Sequence, residues 1–276
     1  MSEIAVITGT THGIGQVTSF ELARAGRTVV MLCRNVPAAE AVRLAILAAH
    51  PRAAVHVVRC DLASLASVRE AAVQVRRRFA PIGLLINNAG MASTRHRMSA
   101  DGFELTFATN HLGPFLLTAA LREHLDTGAR IVNVASRIHF RARMDLGSVA
   151  DARARDRGVA AYARSKLANV LHTFALARRL EGSSATANCL HPGIVATHLL
   201  PGWLRLVKPL VSPVTFDAER GARTTIHLAL APQIAAASGK YYDENQHEQP
   251  AAPLARSVEL QEELWHASAR WVGVPA

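Results

Sequence analysis

The chain has 276 residues, of which 50% are hydrophobic and 19% are charged. This composition supplies enough apolar surface for a folded core and excludes an intrinsically disordered protein. The 31 Lys and Arg residues outnumber the 21 Asp and Glu residues, and the resulting formal charge of +10 favours anionic ligands. Because no nucleic-acid-binding motif accompanies the basic residues, we expect no nucleic-acid partner.

The three cysteines, Cys33, Cys60 and Cys189, each lie at the end of an apolar run. An odd number of buried cysteines predicts free thiols in a reducing compartment. The chain starts without a basic leader, and no uninterrupted apolar segment is long enough to span a bilayer. We therefore expect a cytoplasmic protein without stable membrane insertion.

Short β-branched runs alternate with longer helical patterns along the chain. The short runs predict strands at Ile4–Thr8, Thr28–Cys33, Ala54–Cys60, Leu84–Asn87, Arg130–Ala135 and Thr186–His191, with an edge strand at Gly239–Tyr242. The longer patterns predict helices near Gly13–Ala25, Ala38–His50, Ser64–Phe79, Gly102–His124, Ala160–Leu180, Asp217–Ala231 and Val258–Trp271.

Continuous apolar strands separated by helices predict a parallel sheet covered on both faces. The expected fold is α/β: a single Rossmann-type domain over residues 1–276, with a doubly wound, mostly parallel sheet of about seven strands. Ligands in such folds bind beyond the carboxyl ends of the strands.

Two segments depart from this alternation. The segment 194–216 carries three prolines among leucines and Trp203, which is typical of an apolar lid over a substrate site. Contact of this segment with a membrane surface is the alternative. The arginine-rich stretch 137–157 has poor periodicity and predicts a surface excursion.

The first predicted strand runs through a glycine-rich turn directly into a helix. Its glycines let the backbone approach a ligand closely, and the helix amino terminus offers N–H groups and the positive end of its dipole. The turn therefore predicts a pyrophosphate site made by Gly9, Thr11, His12, Gly13, Ile14 and Gly15. An ordinary strand–helix turn is the alternative, because a glycine triplet alone is a weak signal.

Tyr162 and Lys166 lie four residues apart and so share one face of a predicted helix. A free phenol loses its proton only at about pH 10. A neighbouring ammonium favours the phenolate, so Lys166 is expected to lower the pKa of Tyr162 and make it a general acid or base. Ser136 follows the fifth predicted strand, at the sheet edge where a substrate oxygen could be held.

This ordered series of motifs resembles the short-chain dehydrogenase/reductase family, and within it the retinol-dehydrogenase-like branch. The likeness rests on the glycine spacing, Asn87-Asn88-Ala89-Gly90, Thr109-Asn110-His111-Leu112-Gly113 and Tyr162-Ala163-Arg164-Ser165-Lys166. It implies a catalytic tetrad of Asn110, Ser136, Tyr162 and Lys166, in which Asn110 helps hold a water beside the lysine. It also implies cofactor contacts from Asp61, Leu62, Asn88, Ala89, Gly90, Tyr162, Lys166, Pro192, Gly193, Val195 and Thr197.

The resemblance implies hydride transfer between a nicotinamide and a carbonyl, or a primary or secondary alcohol. That branch often takes bulky apolar substrates, which the predicted lid would suit. Members of the family pair through the helices that correspond to Gly102–His124 and Ala160–Leu180, so a homodimer or a homotetramer is expected. Activity on retinoids does not follow from the resemblance.

The end of the second predicted strand indicates which nicotinamide cofactor is preferred. An acidic residue there would bond the ribose hydroxyls and repel a 2′-phosphate. This chain has Arg34 and Asn35 instead, with no acid before Glu40. Because Arg34 can pair with the phosphate, NADP(H) is favoured over NAD(H).

Alternatives to a dehydrogenase remain at this point. A catalytically silent NADP(H)-binding regulator would keep the fold without turnover, and an epimerase or dehydratase could use the same scaffold. The 13 histidines show no ligand spacing typical of zinc, so no metal is expected. Arg137, Arg141 and Arg143 follow Ser136 and could attract an acidic substrate, although solvated arginines are common.

Overall fold

Eight strands form one sheet in the part of the chain that the computed structural model describes, residues 3–93, 95–151, 158–193 and 217–276. They are β1 (Ile4–Thr8), β2 (Thr28–Cys33), β3 (Val55–Arg59), β4 (Ile82–Asn87), β5 (Leu125–Val134), β6 (Thr186–Leu190), β7 (Tyr241–Tyr242) and β8 (Glu248–Gln249). The spatial order is β3-β2-β1-β4-β5-β6-β7-β8, and each neighbouring pair is parallel except β7 with β8.

This order confirms the predicted α/β, doubly wound, mostly parallel sheet. The sheet has one strand more than expected, because the chain turns back after β7. Asp243 makes this turn: its carboxylate accepts hydrogen bonds from the main-chain N–H groups of Asn245 and His247, at 2.8 and 3.0 Å. The segment 194–216, predicted to be a lid, and residues 152–157 of the arginine-rich stretch lie outside the described residues.

The described helices are α1 (Gly13–Arg24), α2 (Val36–Ala49), α3 (Leu65–Phe79), α4 (Leu105–Phe107), α5 (Gly113–Leu121), α6 (Val159–Arg179), α7 (Ala218–Leu230) and α8 (Val258–Val272). Side-chain oxygens cap the amino termini of five of them, which begin after Asn35, Ser64, Glu104, Asp217 and Ser257. Gly273, with φ of 64°, ends α8 in the left-handed conformation.

Two hydrophobic clusters cover the two faces of the sheet. On one face Val6 and Ile131 pack with residues of α3, α5 and α6. On the other, Ile7 and Ile86 pack with residues of α1, α2 and α7. Successive strand residues alternate between the clusters, as expected for a central sheet enclosed by helices.

The helix predicted over Gly102–His124 is present from Leu105 to His124, but it is not of one helical type along its length. The segment begins as α4, continues as a π-helix over Ala108–Leu112 and becomes α5 only at Gly113. The Gly113 N–H shows the change directly, because it donates to the main-chain oxygen of Ala108, five residues earlier. Sequence periodicity does not distinguish these helical types.

Helix α8 covers part of the two helices on which pairing with another subunit is expected. The ring of Trp265 on α8 lies 5.0 Å from that of Phe115 on α5 and 5.7 Å from that of His172 on α6, between centroids. Oligomerisation through α5 and α6 remains a prediction. Any such interface must use the parts of these two helices that α8 does not cover.

The start of α5 lies against the loop that follows β3. A Cβ atom on Gly113 would lie 2.4 Å from the main-chain oxygen of Leu62 and 2.9 Å from its Cβ atom. Both distances are far below van der Waals contact, so this packing requires glycine. The contact joins the helix that follows Asn110 to the loop that contains Asp61.

We expect Gly113→Ala to lower the free energy of unfolding by about 1–3 kcal/mol, because the added methyl forces the Leu62 loop and α5 apart. Urea denaturation followed by circular dichroism measures the change. The control is Gly147→Ala, whose Cβ atom would meet only the end of the Asp145 side chain, at 3.3 Å. Equal stability of the two variants would contradict the close approach of Gly113 to Leu62.

Candidate active site

The glycine turn between β1 and α1 is so close that it excludes side chains. Gly9 has φ of +71°, and a Cβ atom there would lie 2.7 Å from the Cα atom of Ala89. A Cβ atom on Gly15 would lie 2.2 Å from the main-chain oxygen of Gly9. Gly13, the first residue of α1, also has a positive φ, of 62°. The three glycines thus allow the close turn that their spacing predicts.

Asn88 holds this turn from the neighbouring strand. Its side-chain Nδ2 donates to the main-chain oxygens of Thr8, at 2.9 Å, and Gly9, at 3.1 Å. In return, the Thr8 hydroxyl accepts hydrogen bonds from the main-chain N–H groups of Asn88 and Ala89, both at 3.0 Å. The ends of β1 and β4 are therefore locked together, and the path of the turn depends on this pair of residues.

The amino terminus of α1 fits an anionic ligand. His12 occupies the N-cap position without a side-chain hydrogen bond to the helix, and the first turn contains no acidic residue. The hydroxyl of Thr11 lies 3.0 Å from Nδ1 of His12. Main-chain N–H groups of the first turn, where Ile14 lies, can therefore bind a phosphate group, whereas side chains cap α2, α3, α7 and α8.

The residues predicted to contact the adenosine half of the cofactor lie after β2 and β3. Arg34 is exposed directly after β2, and Asn35 beside it accepts a hydrogen bond from the first turn of α2, at 3.1 Å. Asp61 after β3 accepts one from the main-chain N–H of Ala63, at 3.0 Å, while Leu62 is buried. Both strands end at the same edge of the sheet as β1, so these residues and the glycine turn share one side of the molecule.

Tyr162, Lys166 and Ser136 come together at the carboxyl end of β5. The Lys166 side chain is 3% exposed, and its Nζ donates to the main-chain oxygen of Val134, at 2.8 Å. The same Nζ lies 5.7 Å from the centroid of the Tyr162 ring. The Ser136 hydroxyl lies near enough to the Tyr162 phenol to lower the pKa of that phenol. Three of the four predicted catalytic side chains are therefore neighbours.

The pKa of Tyr162 shifts in the direction opposite to the one expected from its lysine neighbour. Burial raises this pKa to about 12, although the hydrogen bond with Ser136 lowers it. Burial also lowers the pKa of Lys166 to about 8. Nζ of Lys166 donates its hydrogen bond to the Val134 carbonyl and lies beside the phenol ring. Desolvation of the phenol therefore determines the direction in which the pKa of Tyr162 shifts. The phenol therefore keeps its proton at neutral pH.

Asn110, the fourth predicted catalytic residue, lies in the π-helical segment next to Lys166. Its Oδ1 accepts from the main-chain N–H of Met91, at 2.8 Å, and its Nδ2 donates to the Met91 oxygen, at 2.8 Å, and to the Ser165 hydroxyl, at 2.9 Å. A Cβ atom on Gly90 would lie 3.3 Å from Nζ of Lys166 and 3.6 Å from Oδ1 of Asn110. Asn110 thus fixes the chain after β4 against Lys166.

Sequence reasoning did not single out Thr8 and Ser165, which hold the predicted residues in place. The Ser165 hydroxyl accepts from Asn110 and donates to the main-chain oxygen of Tyr162, at 2.8 Å. Thr8 accepts the two main-chain hydrogen bonds of the Asn88 segment. Helical spacing could have indicated Ser165, because it lies three residues after Tyr162, whereas no local pattern indicates the role of Thr8.

The Pro192–Gly193 turn follows β6 and is held by His191. The Gly193 N–H donates to Nδ1 of His191, at 3.0 Å, and Nε2 lies 2.5 Å from the carboxylate of Glu244. This accords with the interpretation of His191 as structural. Val195 and Thr197, predicted to contact the nicotinamide, lie outside the described residues.

A family comparison identifies this set of motifs. The family model for short chain dehydrogenases matches residues 3–204, which contain the glycine turn, Asn110, Ser136, Tyr162 and Lys166. The chain belongs to the short-chain dehydrogenase family.

Curated members of the family resemble the chain over almost all of its length. Human retinol dehydrogenase 13 is 37% identical, with 98% of this chain and 85% of that protein covered. Human retinol dehydrogenase 12 is also 37% identical, with 99% and 87% covered. Dehydrogenase/reductase SDR family member 13 of Bos taurus is 38% identical, with 98% and 73% covered. The predicted likeness to the retinol-dehydrogenase-like branch is thereby confirmed.

Solved structures of short-chain dehydrogenase type share the fold. An uncharacterised protein of Mycobacterium paratuberculosis superposes with a TM-score of 0.80 at 33% identity, covering 99% of this chain and 95% of its own. A blue fluorescent protein from a metagenomic library, crystallised in complex with NADPH, gives 0.71 at 27% identity, with 87% and 95% covered.

Within the described ranges, no group of three or more His, Cys, Asp or Glu side chains is arranged to hold a metal ion. No helix in the same ranges combines the length and the apolar character needed to cross a bilayer.

We expect Asn88→Ala to weaken NADPH binding about tenfold, because the glycine turn loses two hydrogen bonds that fix its path. Titration followed by the fluorescence of the reduced nicotinamide measures the dissociation constant. Ser257→Ala is the control, since it removes a helix cap at about the same cost in stability but lies on α8. Unchanged NADPH affinity in Asn88→Ala would show that the turn holds its shape without this brace.

Proposed function

We propose that the protein is an NADP(H)-dependent oxidoreductase that transfers hydride between the nicotinamide and a carbonyl or alcohol substrate. The observation that carries this proposal is the cluster of Tyr162, Ser136 and Lys166 at the carboxyl end of β5. This edge of the sheet also bears the glycine turn after β1. Bound nicotinamide would supply the hydride to a carbonyl carbon, or accept it from an alcohol carbon.

The protein side chains manage the proton of this reaction. Tyr162 keeps its proton at neutral pH and can donate it to a carbonyl oxygen that the Ser136 hydroxyl holds. The phenolate that remains is stabilised by the ammonium of Lys166, which is charged below about pH 8. In the oxidation of an alcohol the same groups act in reverse, with Tyr162 accepting the proton.

NADP(H) is the proposed cofactor because of the charges at the end of β2. Arg34 is exposed there, where a 2′-phosphate would lie. The nearest acid after it, Glu40, is 2.6 Å from Arg43 on α2, so its charge is already balanced. The relative crystallised with NADPH agrees with this preference.

The proposed substrate is bulky and apolar. Phe140 lies four residues after Ser136 and is 49% exposed, so its ring offers apolar surface on the Ser136 loop to which a bulky apolar substrate could pack. The names of the relatives, retinol dehydrogenases 12 and 13, also indicate a large apolar substrate. Retinal is therefore one candidate, together with long-chain aldehydes and bulky ketones.

The deciding experiment measures NADPH oxidation by the purified full chain with a panel of retinal, long-chain aldehydes, bulky ketones and small polar ketones. We expect turnover with one or more of the bulky apolar carbonyls. Tight NADPH binding without reduction of any of them would favour a regulator with a silent site. Conversion of a substrate without net change in NADPH would favour an epimerase or dehydratase.

We expect Tyr162→Phe to lower kcat by at least about 100-fold, because the general acid is removed. The NADPH dissociation constant should stay within about twofold, since the ring remains in place. Tyr242→Phe, which removes a phenol from β7, is the control and should retain activity. Substantial turnover by Tyr162→Phe would refute the assignment of the proton donor.

We expect Arg34→Asp to shift preference from NADPH towards NADH by about tenfold or more, because an attraction for the 2′-phosphate becomes a repulsion. The ratio of kcat/KM for the two cofactors measures the shift. Arg52→Asp changes another exposed arginine by the same charge and should leave that ratio unaltered. An unchanged ratio in Arg34→Asp would overturn the cofactor assignment.

A further inference from the structure

His139 connects the Ser136 loop to the segment after β8. Its side chain is 1% exposed. Nδ1 lies 2.7 Å from the main-chain oxygen of Ser136, and Nε2 lies 3.1 Å from the main-chain nitrogen of Ala252. One imidazole ring therefore bridges two parts of the chain that are more than a hundred residues apart.

The two backbone partners determine which nitrogen of the ring carries the proton. A main-chain oxygen can only accept, so Nδ1 must donate to Ser136. A main-chain N–H can only donate, so Nε2 must accept from Ala252. His139 is therefore neutral, with its proton on Nδ1, and its burial, which lowers its pKa, favours the same state.

His139 also holds the Ser136 peptide with its own backbone. The main-chain N–H of His139 donates to the Ser136 oxygen at 3.1 Å, in addition to the bond from the ring. The Ser136 oxygen thus accepts two hydrogen bonds, both from the same residue. The ring itself packs against Tyr241 on β7, with the centroids 4.9 Å apart, so its orientation is fixed by packing as well.

The opposite side of Ser136 faces the reacting centre. Its hydroxyl lies near enough to the Tyr162 phenol to lower the pKa of that group, and the same oxygen accepts a hydrogen bond from the Ile138 N–H at 3.4 Å. Rotation of the Ser136 peptide would therefore move the hydroxyl relative to the phenol. The imidazole of His139 prevents such a rotation through its bond to the Ser136 carbonyl.

We propose that His139 is a positioning residue that orients Ser136 towards Tyr162. The catalytic meaning of this role rests on the proposed function, but the orientation itself belongs to the folded chain. His139 touches neither substrate nor cofactor in this role, since its two polar atoms are both bonded to backbone groups.

Two near-isosteric variants separate this role from a purely structural link to Ala252. The side-chain amide of His139→Asn can place its NH₂ group near the position of Nδ1 and keep the bond to Ser136. The longer His139→Gln can place its oxygen near the position of Nε2 and keep the bond to Ala252. If the bond to Ser136 supports activity, His139→Gln, which loses that bond, should lower activity more. If His139 serves only as a structural link to Ala252, His139→Asn should lower activity more.

We expect kcat of His139→Gln to fall about tenfold below that of His139→Asn, with KM and NADPH affinity within about twofold of each other. In a Ser136→Ala background the difference between Asn and Gln should shrink to less than about twofold, because the residue acts through Ser136. An equal difference in both backgrounds, or greater loss with Asn, would overturn the proposal.

A readout without turnover tests the same point in the free chain. In NMR spectra of isotope-labelled tyrosine, the Tyr162 signal is assigned with Tyr162→Phe, and Ser136→Ala shows how the signal shifts when the Ser136 hydroxyl is removed. We expect His139→Gln to shift it in the same direction and His139→Asn to leave it close to the native position. An unmoved signal in folded His139→Gln would overturn the proposal.

These measurements separate failure of the inference from failure of the proposed function. Absence of turnover with every carbonyl, together with the expected tyrosine shift, would reject the oxidoreductase and retain the positioning role. Turnover by the native chain, together with an unmoved tyrosine signal in His139→Gln, would do the reverse.

Discussion

The parallel pairing of β1 to β7 is the constraint on which the rest of the molecule depends. Parallel strands end at the same edge, so residues that follow different strands meet although they are far apart in the chain. The glycine turn, Arg34, Asp61, Asn88 and Ser136 all take their places in this way. If one strand were reversed, the site residue that follows it would lie at the opposite edge of the sheet.

Burial of Lys166 shows how closely the chemistry depends on the packing around it. An ammonium that is 3% exposed has lost most of its hydration, and the Val134 carbonyl replaces only part of it. The charged form is therefore destabilised, which lowers the pKa to about 8. An anion such as the phenolate of Tyr162 restores stabilising charge to this site, so proton loss from the phenol and retention of charge by the lysine favour each other.

The sequence predicts the layout of the fold well, but not the contacts that refine the site. The bounds of β1 and β2 agree with prediction because each is a short, mostly apolar run between residues of different character. Gly9 and Tyr162 were recognisable because their chemistry is local. By contrast, the pKa of Tyr162 depends on desolvation by distant parts of the chain, which spacing to Lys166 does not reveal. The bond from His139 to the Ser136 loop likewise needs the tertiary fold.

The π-helical turn at Ala108–Leu112 makes the orientation of the side chains in this helix depend on the number of residues in the turn. A π turn contains one residue more than the corresponding α-helical turns, and each inserted residue rotates the following side chains by about 100° around the axis. In the present register Asn110 faces Met91 and Ser165, while His111 faces Ser268 in the interior. Deleting one residue here would rotate the side chains on one side of the deletion by about 100° and so separate Asn110 or His111 from its present partners. The number of residues in this single turn thus decides which side chain faces Met91 and Ser165.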